Sequence, residues 1–291
     1  MPNFDSLNAF IGATLYSATP LILAAMGGVL SERAGVVNIA LEGLMLAGAF
    51  TAVWAGAASG IVGLAAAVAV GGLLGLLHAF LTQRTRMDQV VSGLGINLLA
   101  AGATRYLALR CFPSGIRVNG LPGWLFLALA ILLPFLVALL LWRTRFGLRL
   151  RAVGESAESA RMAGITPGPS RYAAVTLSGM LAALAGAYLS LAESHTFTSN
   201  MSAGKGYIAL AAVIFGKWNP LGAAAGALFF GFFYALQTQL QISSIHLDFM
   251  GIEWTSPFLL DTLPYLMTLA ALVSVVGRAI PPAALGRQDS E

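Results

Sequence analysis

Few residues of this 291-residue chain could do chemistry, and they sit inside apolar runs. Asn38 and Glu42 are four apart, so a helix would put them on one face. Gln89, Ser92 and Asn97 open another run, with Gly93 and Gly95 among them, and His78 lies late in a third. An ionisable side chain at the centre of a membrane helix costs roughly 2.5–3.5 kcal/mol, so Glu42 is expected to turn away from lipid. Amides and hydroxyls both donate and accept. A wall of Asn38, Glu42, Gln89, Ser92 and Asn97 could therefore pass a neutral polar solute. Equally, each could bond a neighbouring helix or stretch of backbone, and for these five both readings stay open. For His78, a hydrogen-bonded packing role is the better reading. The runs contain no paired carboxylates, no Ser–Lys dyad and no His/Asp metal cluster. No catalytic residue and no metal site are expected, and an intramembrane enzyme has nothing to work with.

The elements that must position these residues are membrane helices. The chain is 58% hydrophobic and 10% charged, against about a quarter charged in soluble domains. Apolar runs near the ~20-residue spanning length fall at about 8–30, 36–58, 60–82, 89–110, 122–142, 171–192, 219–241 and 257–277. The stretch 204–217 is too short to span as a helix at ~1.5 Å per residue and suggests a broken or re-entrant segment. The expected fold is all-α: one polytopic transmembrane bundle over 1–291, with about 8–10 membrane segments. No basic residue precedes the first run, so that run is read as a retained helix rather than a cleaved signal. Gly56/Gly60, Gly71/Gly75 and Gly222/Gly226 have the spacing that lets helix backbones approach, best explained within one subunit.

Charge sets the orientation. Arg143, Arg145, Arg149, Arg151, Arg161 and Arg171 crowd one stretch, six of the 16 basic residues, which places loop 143–171 in the cytoplasm. Arg278 and Arg287 put the C terminus there too. Segments 193–203 and 242–256 hold Glu193, His195, Asp248 and Glu253 without Lys or Arg, and belong outside. Parity then makes 204–217 a fourth, irregular crossing of the second half. In the first half, either the N terminus is outside or 31–58 hides an extra partial crossing. The polar opening Ser31-Glu32-Arg33-Ala34-Gly35 favours the second. The net charge of +4 is spread between apolar runs, so nucleic acid is not an expected partner. The single cysteine, Cys111, has no intrachain partner.

Within 143–171 lies a short helix with its own punctuation. Ser156 suits the N-cap and Glu158 the first turn. Gly164 fits the position past the end, before Ile165, and Pro167 blocks continuation. Ala157, Ala160 and Ala163 form a small-residue stripe. A capped, exposed helix is a rigid knob that a partner could push. A fainter signal is an echo between Gly35-Val-Val-Asn-Ile-Ala-Leu41 and Gly204-Lys-Gly-Tyr-Ile-Ala-Leu210, as in transporters built from repeated halves.

Three motifs in order carry a resemblance: Met26 to Met45, the loop from Leu148 to Ile165, and Gly216-Lys-Trp-Asn-Pro-Leu-Gly222. Together they cover about 20–235 and resemble the permease subunits of ABC importers, most closely those for nucleosides and related simple sugars. Ser156 stands where the family more often has Asn, and it caps comparably. The resemblance implies that Arg151, Gly154, Glu155, Ser156, Glu158, Ala160, Arg161, Gly164 and Ile165 form the surface moved by an ATPase. It implies a plasma (inner) membrane location and four partners: a cytoplasmic ABC ATPase, a second related permease in a heterodimer, an extracytoplasmic substrate-binding protein and the small-molecule substrate. Ribose-type and branched-chain amino-acid permeases share the architecture and are the alternative substrates; an ion-gradient-driven transporter is a further alternative. The chain has no G-x-x-x-x-G-K-[ST] loop, Lys205 being followed by Gly206. No cofactor is expected here, and ATP would bind the partner.

Overall fold

The computed structural model describes residues 4–112, 115–242 and 279–287, with isolated positions between 248 and 270. The described helices are α1 (Phe4–Arg33), α2 (Leu41–Gly56), α3 (Gly60–Gln83), α4 (Gln89–Cys111), α5 (Gly123–Arg143), α6 (Arg145–Glu155), α7 (Ala157–Met162), α8 (Pro167–Tyr188), α9 (Lys205–Phe215) and α10 (Pro220–Ile242). A π-helical turn, Leu189–Glu193, extends α8. Two-residue strands, Asp248–Phe249 and Ile252–Glu253, pair antiparallel. The helical bundle matches the expectation. Five helices are long and apolar enough to cross a membrane: α1, α3, α5, α8 with its π turn, and α10. Helices α2 and α9 are apolar but shorter. The expected span at 257–277 lies outside the described residues, apart from isolated positions.

Local chemistry sets the helix boundaries. Asp88 Oδ1 accepts from Val90 N and Val91 N at 2.9 and 3.0 Å, starting α4. Asn219 Oδ1 accepts from Leu221 N at 3.0 Å, with Pro220 at the first position of α10. Pro167 opens α8 in the same manner. Pro20 lies inside α1 and leaves the Tyr16 carbonyl without its helical donor. The Tyr188 hydroxyl donates to that carbonyl at 3.0 Å.

Lipid tails are as apolar as leucine, so helix association relies on close packing of small residues. A Cβ on Gly75 would lie 2.7 Å from the Val175 carbonyl of α8, and one on Gly179 would strike the Gly71 carbonyl of α3. Gly48 meets Ala183, and Gly186 meets the Met45 carbonyl. Gly56 faces Gly63, and Gly222 and Gly226 face Gly216 and Ala212. All three spaced glycine pairs thus include close contacts within the subunit.

The expected extra crossing within 31–58 is not there. Arg33 ends α1 with its carbonyl against Gly154 of α6, while Tyr16, about 26 Å back along the helix at ~1.5 Å per residue, meets Tyr188 at the end of α8 and Gly123 at the start of α5. Residues 34–40 are non-helical and lead into α2, giving one crossing. The start of α1 therefore lies at the face opposite the 143–171 loop. The polar residues 31–35 misled because they join neighbouring elements rather than open a new insertion. In the second half, Ser202 reaches Glu42, and α9 leads to Trp218 beside Arg33. This is the irregular crossing that parity required. Gly35 and Gly204 share the left-handed conformation, φ +86° and +80°. The echo stops there, because a helix starts directly after Gly204 but only at Leu41 after Gly35.

Gly179→Val should overpack α3 against α8 at a cost of about 1–3 kcal/mol. Gly95→Ala, where a Cβ meets nothing within 4 Å, should be neutral. Thermal unfolding of the detergent-extracted protein measures both.

Candidate functional site

Four of the polar residues singled out in the sequence, Asn38, Gln89, Ser92 and Asn97, gather at one irregular segment, 34–40. Turns at the end of α1 serve part of the segment's backbone, Gly35 N donating to the Glu32 carbonyl at 3.0 Å and Val36 N to the Ser31 carbonyl at 3.1 Å; groups beyond have no helical partner, and at membrane depth there is no water to replace it. Side chains do so instead. Gln89 Oε1 accepts from Val37 N at 2.7 Å. His78 Nε2 lies 3.2 Å from the Val37 carbonyl, and its Nδ1 lies 2.9 Å from Ser92 Oγ. Asn97 Nδ2 donates to the Ile39 carbonyl at 2.9 Å, while its Oδ1 accepts from Gly43 N at 2.7 Å. Ser31 Oγ donates to the Val36 carbonyl at 2.7 Å. Asn38, fully buried, donates to Ser178 Oγ at 2.8 Å. Asn97 is the ninth residue of α4, about 12 Å up that helix at ~1.5 Å per residue. The break therefore reaches well into the bundle.

Glu42 serves the second break. Its Oε1 accepts from Ser202 Oγ at 2.6 Å and Gly204 N at 2.8 Å, and its Oε2 accepts from Gly206 N at 2.7 Å. These donors surround the start of α9, where amides are left without helical acceptors. A carboxyl group there also complements the positive end of the helix dipole. Gly206 is required by closeness, since a Cβ would lie 2.8 Å from Glu42 Oε2. The Tyr207 hydroxyl accepts from Asn97 Nδ2 at 3.1 Å, so the two breaks share a side chain. Of the five candidate pathway residues, all make hydrogen bonds that hold backbone or neighbouring helices in place.

A third cluster, missed by sequence reasoning, joins the end of α1 to the loop face. Trp218 Nε1 donates to Glu32 Oε2 at 2.5 Å, and Arg33 Nε donates to the Trp218 carbonyl at 2.7 Å. Lys217 and Trp218 have φ of +52° and +56°, a strained turn for L residues. Arg171, 1% exposed, donates from Nε to the Ala34 carbonyl at 3.3 Å and from Nη1 to Gln83 Oε1 at 3.1 Å. Gly154 sits on Arg33, and its carbonyl accepts from Ala284 N at 2.9 Å. The signal was available: Ser31–Gly35 and Gly216–Gly222 lie within the quoted motifs, and the structure shows them in contact.

The loop has the predicted punctuation. Ser156 Oγ accepts from Ser159 N at 3.1 Å and caps α7. Gly164 has φ +77°, and Ile165 N donates to the Ala160 carbonyl at 2.9 Å, closing the helix. Ala157 and Ala160 are buried while Ala163 is exposed, so two of the three stripe residues pack inward. Glu158, Arg161 and Met162 face outward, Met162 at 78% exposure. Helix α6 was not foreseen: Arg151 donates to the Leu141 carbonyl at 3.0 Å, and Glu155 Oε2 accepts from Ala283 N at 3.4 Å.

Residues 10–272 match the family described as branched-chain amino acid transport system / permease component. The chain belongs to this family. It is 39% identical to the guanosine ABC transporter permease protein NupQ of Bacillus subtilis, covering 96% of both chains. It is 35% identical to the nucleoside ABC transporter permease protein NupC of Lactococcus lactis, covering 97% of this chain and 96% of that one. The putative glucose ABC transporter permease protein TsgC13 of Haloferax volcanii is also 35% identical, over 97% of each chain. No solved structure matches. The chain is thus an ABC-type permease and a multi-pass inner-membrane protein.

Glu42→Ala would strip three donors of a buried acceptor, each such loss costing about 1–3 kcal/mol. Unfolding and uptake should both suffer, while Glu42→Gln retains part of the stability. Asn97→Leu should act similarly through Gly43 and Ile39. Retained stability with lost uptake for Asn97→Leu would instead mark Asn97 as a solute contact.

Proposed function

We propose that this permease forms the channel of an ATP-driven importer for nucleosides, with Asn38, Glu42, Gln89, Ser92 and Asn97 shaping the wall of its path. The observation that carries the substrate class is the near-full-length similarity to a guanosine and a nucleoside permease. The glucose relative, equally well covered, supports simple sugars as the second reading. Family membership leaves branched-chain amino acids third. An ion-gradient mechanism fits less well, because Glu42 and His78 are both occupied by structural partners.

The chain itself would carry no catalytic residue. ATP would bind a cytoplasmic ABC ATPase that grips the loop 143–171 through the exposed tip of α7. Met162 is an apolar anchor flanked by Glu158 and Arg161, an arrangement suited to a groove in another protein. Arg151, Gly154, Glu155 and Ser156 would hold that tip rigid against α1, and Gly164 and Ile165 would close it. A second, related permease would complete the channel. NupP and NupB, permeases carrying the same substrate names as NupQ and NupC in the same two organisms, are 25% and 22% identical to this chain over 76% of its length, which supports a heterodimer. An extracytoplasmic binding protein would deliver the substrate.

Pushing on α7 and α6 would move Gly154 against Arg33, and through Arg33 and Glu32 the turn at Trp218 between α9 and α10. That linkage connects the ATPase side to both breaks. Vesicles containing the complete importer should accumulate guanosine only with ATP and the binding protein. Accumulation of glucose or leucine but not guanosine would overturn the substrate class. Glu155→Lys with Glu158→Lys should abolish co-purification of the ATPase while the permease stays inserted, and unchanged co-purification would remove α7 from the contact.

A further inference from the structure

The five polar residues expected to line a path are engaged with backbone or neighbouring helices, which raises the question of which side chains remain to recognise a solute. The cavity between α2, α3 and α4 is large, about 440 Å³. Its side chains are almost wholly apolar, and Thr51 and Thr104 each donate to their own helix. A hydroxylated solute would lose its water there and gain few partners.

A second cavity of about 160 Å³ has the opposite character. It lies where α1, α9, α10 and the π turn after α8 meet, at the end of α9 remote from the 143–171 loop. Six polar or aromatic side chains reach it from four separate elements: Ser17, Glu193, Lys205, Tyr234, Gln237 and Thr238. Lys205 Nζ lies 5.6 Å over the Tyr234 ring, which holds the ammonium beside the cavity. Glu193 lines the same space, yet among the described residues it forms no ion pair with Lys205. The two thus offer an acceptor and a donor separated by a gap. Thr238 Oγ1 donates to the Tyr234 carbonyl at 2.9 Å, so its proton is already committed. The volume equals about five waters at ~30 Å³ each, and falls below the ~300 Å³ lower bound of pockets that enclose a whole ligand. It admits one small ring.

We propose that this cavity is a subsite for the vicinal diol of a pentose ring, with Glu193 accepting from the hydroxyls and Lys205 donating to them. A diol presents adjacent donors and acceptors, which is the pattern that an unpaired carboxyl and ammonium across a gap can satisfy together. The base of the solute would remain outside the cavity. Because α9 starts at Lys205, a solute seated here touches the short helix whose other end carries Trp218, and so sits on the element that the loop moves. The inference rests on the nucleoside reading above and adds which part of the solute the permease itself reads.

The test compares uptake of guanosine with that of its 2′,3′-dideoxy analogue by the complete importer, using the same binding protein and ATPase throughout. Guanosine uptake by the unaltered importer checks the nucleoside reading independently. Glu193→Gln and Lys205→Met should each lower the ratio of guanosine to dideoxy rates at least fivefold, and Lys205→Arg should recover part of it. A preserved ratio, with both rates falling together, would overturn the subsite and assign Glu193 and Lys205 to assembly or to docking of the binding protein. A second measurement needs no transport. In a Cys111→Ser background, Ser17→Cys places a thiol at the cavity. Saturating guanosine should slow its alkylation by a small maleimide several-fold, and the dideoxy analogue should not. Equal protection by both, or by neither, would contradict the proposal.

Discussion

The structure depends on a rule of the bilayer: every backbone donor and acceptor that leaves helical geometry inside the membrane must find a partner within the protein. Segment 34–40 leaves it for seven residues. Gln89, His78, Asn97 and Ser31 each meet one or more of its backbone groups. Glu42 does the same for the start of α9. The cost of burying these polar side chains is thus set against that of burying bare peptide groups. Without the breaks, Gln89, Asn97 and Glu42 would lose the backbone partners that offset their burial.

The breaks divide what would be long spans into shorter helices. Helix α9 has 11 residues, fixed at one end by Glu42 and at the other by the turn at Trp218. The end of α1 touches that turn, the α6 backbone at Gly154, Arg171 of α8 and, through Gly35, the C-terminal segment at Ala284 and Gly286. Four elements therefore meet at residues 31–35. A displacement applied at α6 and α7 has a contiguous, closely packed route to α9. Glycine makes the route stiff, since Gly154 and Gly206 bring backbones into contact with no side chain to cushion them.

Features governed by nearby residues were legible in the sequence. The capping of α7 by Ser156 and its closure at Gly164 before Pro167 follow from local chemistry, and the membrane helices follow from long apolar runs. Positions governed by distant contacts were legible only as polar residues in an apolar setting. Asn97 and Gln89 announced themselves as unusual, but nothing local says that their partners are Ile39, Gly43 and Val37. Arg171 was counted as a loop charge because arginines near span ends are normally solvated; here the carbonyl of Ala34 and the amide of Gln83 hold it inside. Trp218 looked like one aromatic among many. The turn that buries it needs positive φ at two non-glycine residues, and tertiary contacts alone can impose that.

The most direct measurement is amide hydrogen exchange across residues 34–43 in the permease embedded in lipid. If side chains satisfy the break, the Val37 and Gly43 amides exchange as slowly as the flanking turns of α1 and α2, and Gln89→Leu speeds Val37 while leaving distant helices unchanged. Fast exchange at Val37 and Gly43 in the unaltered protein, on the scale of the exposed turn at 84–86, would show the segment open to water and contradict the role given to these side chains.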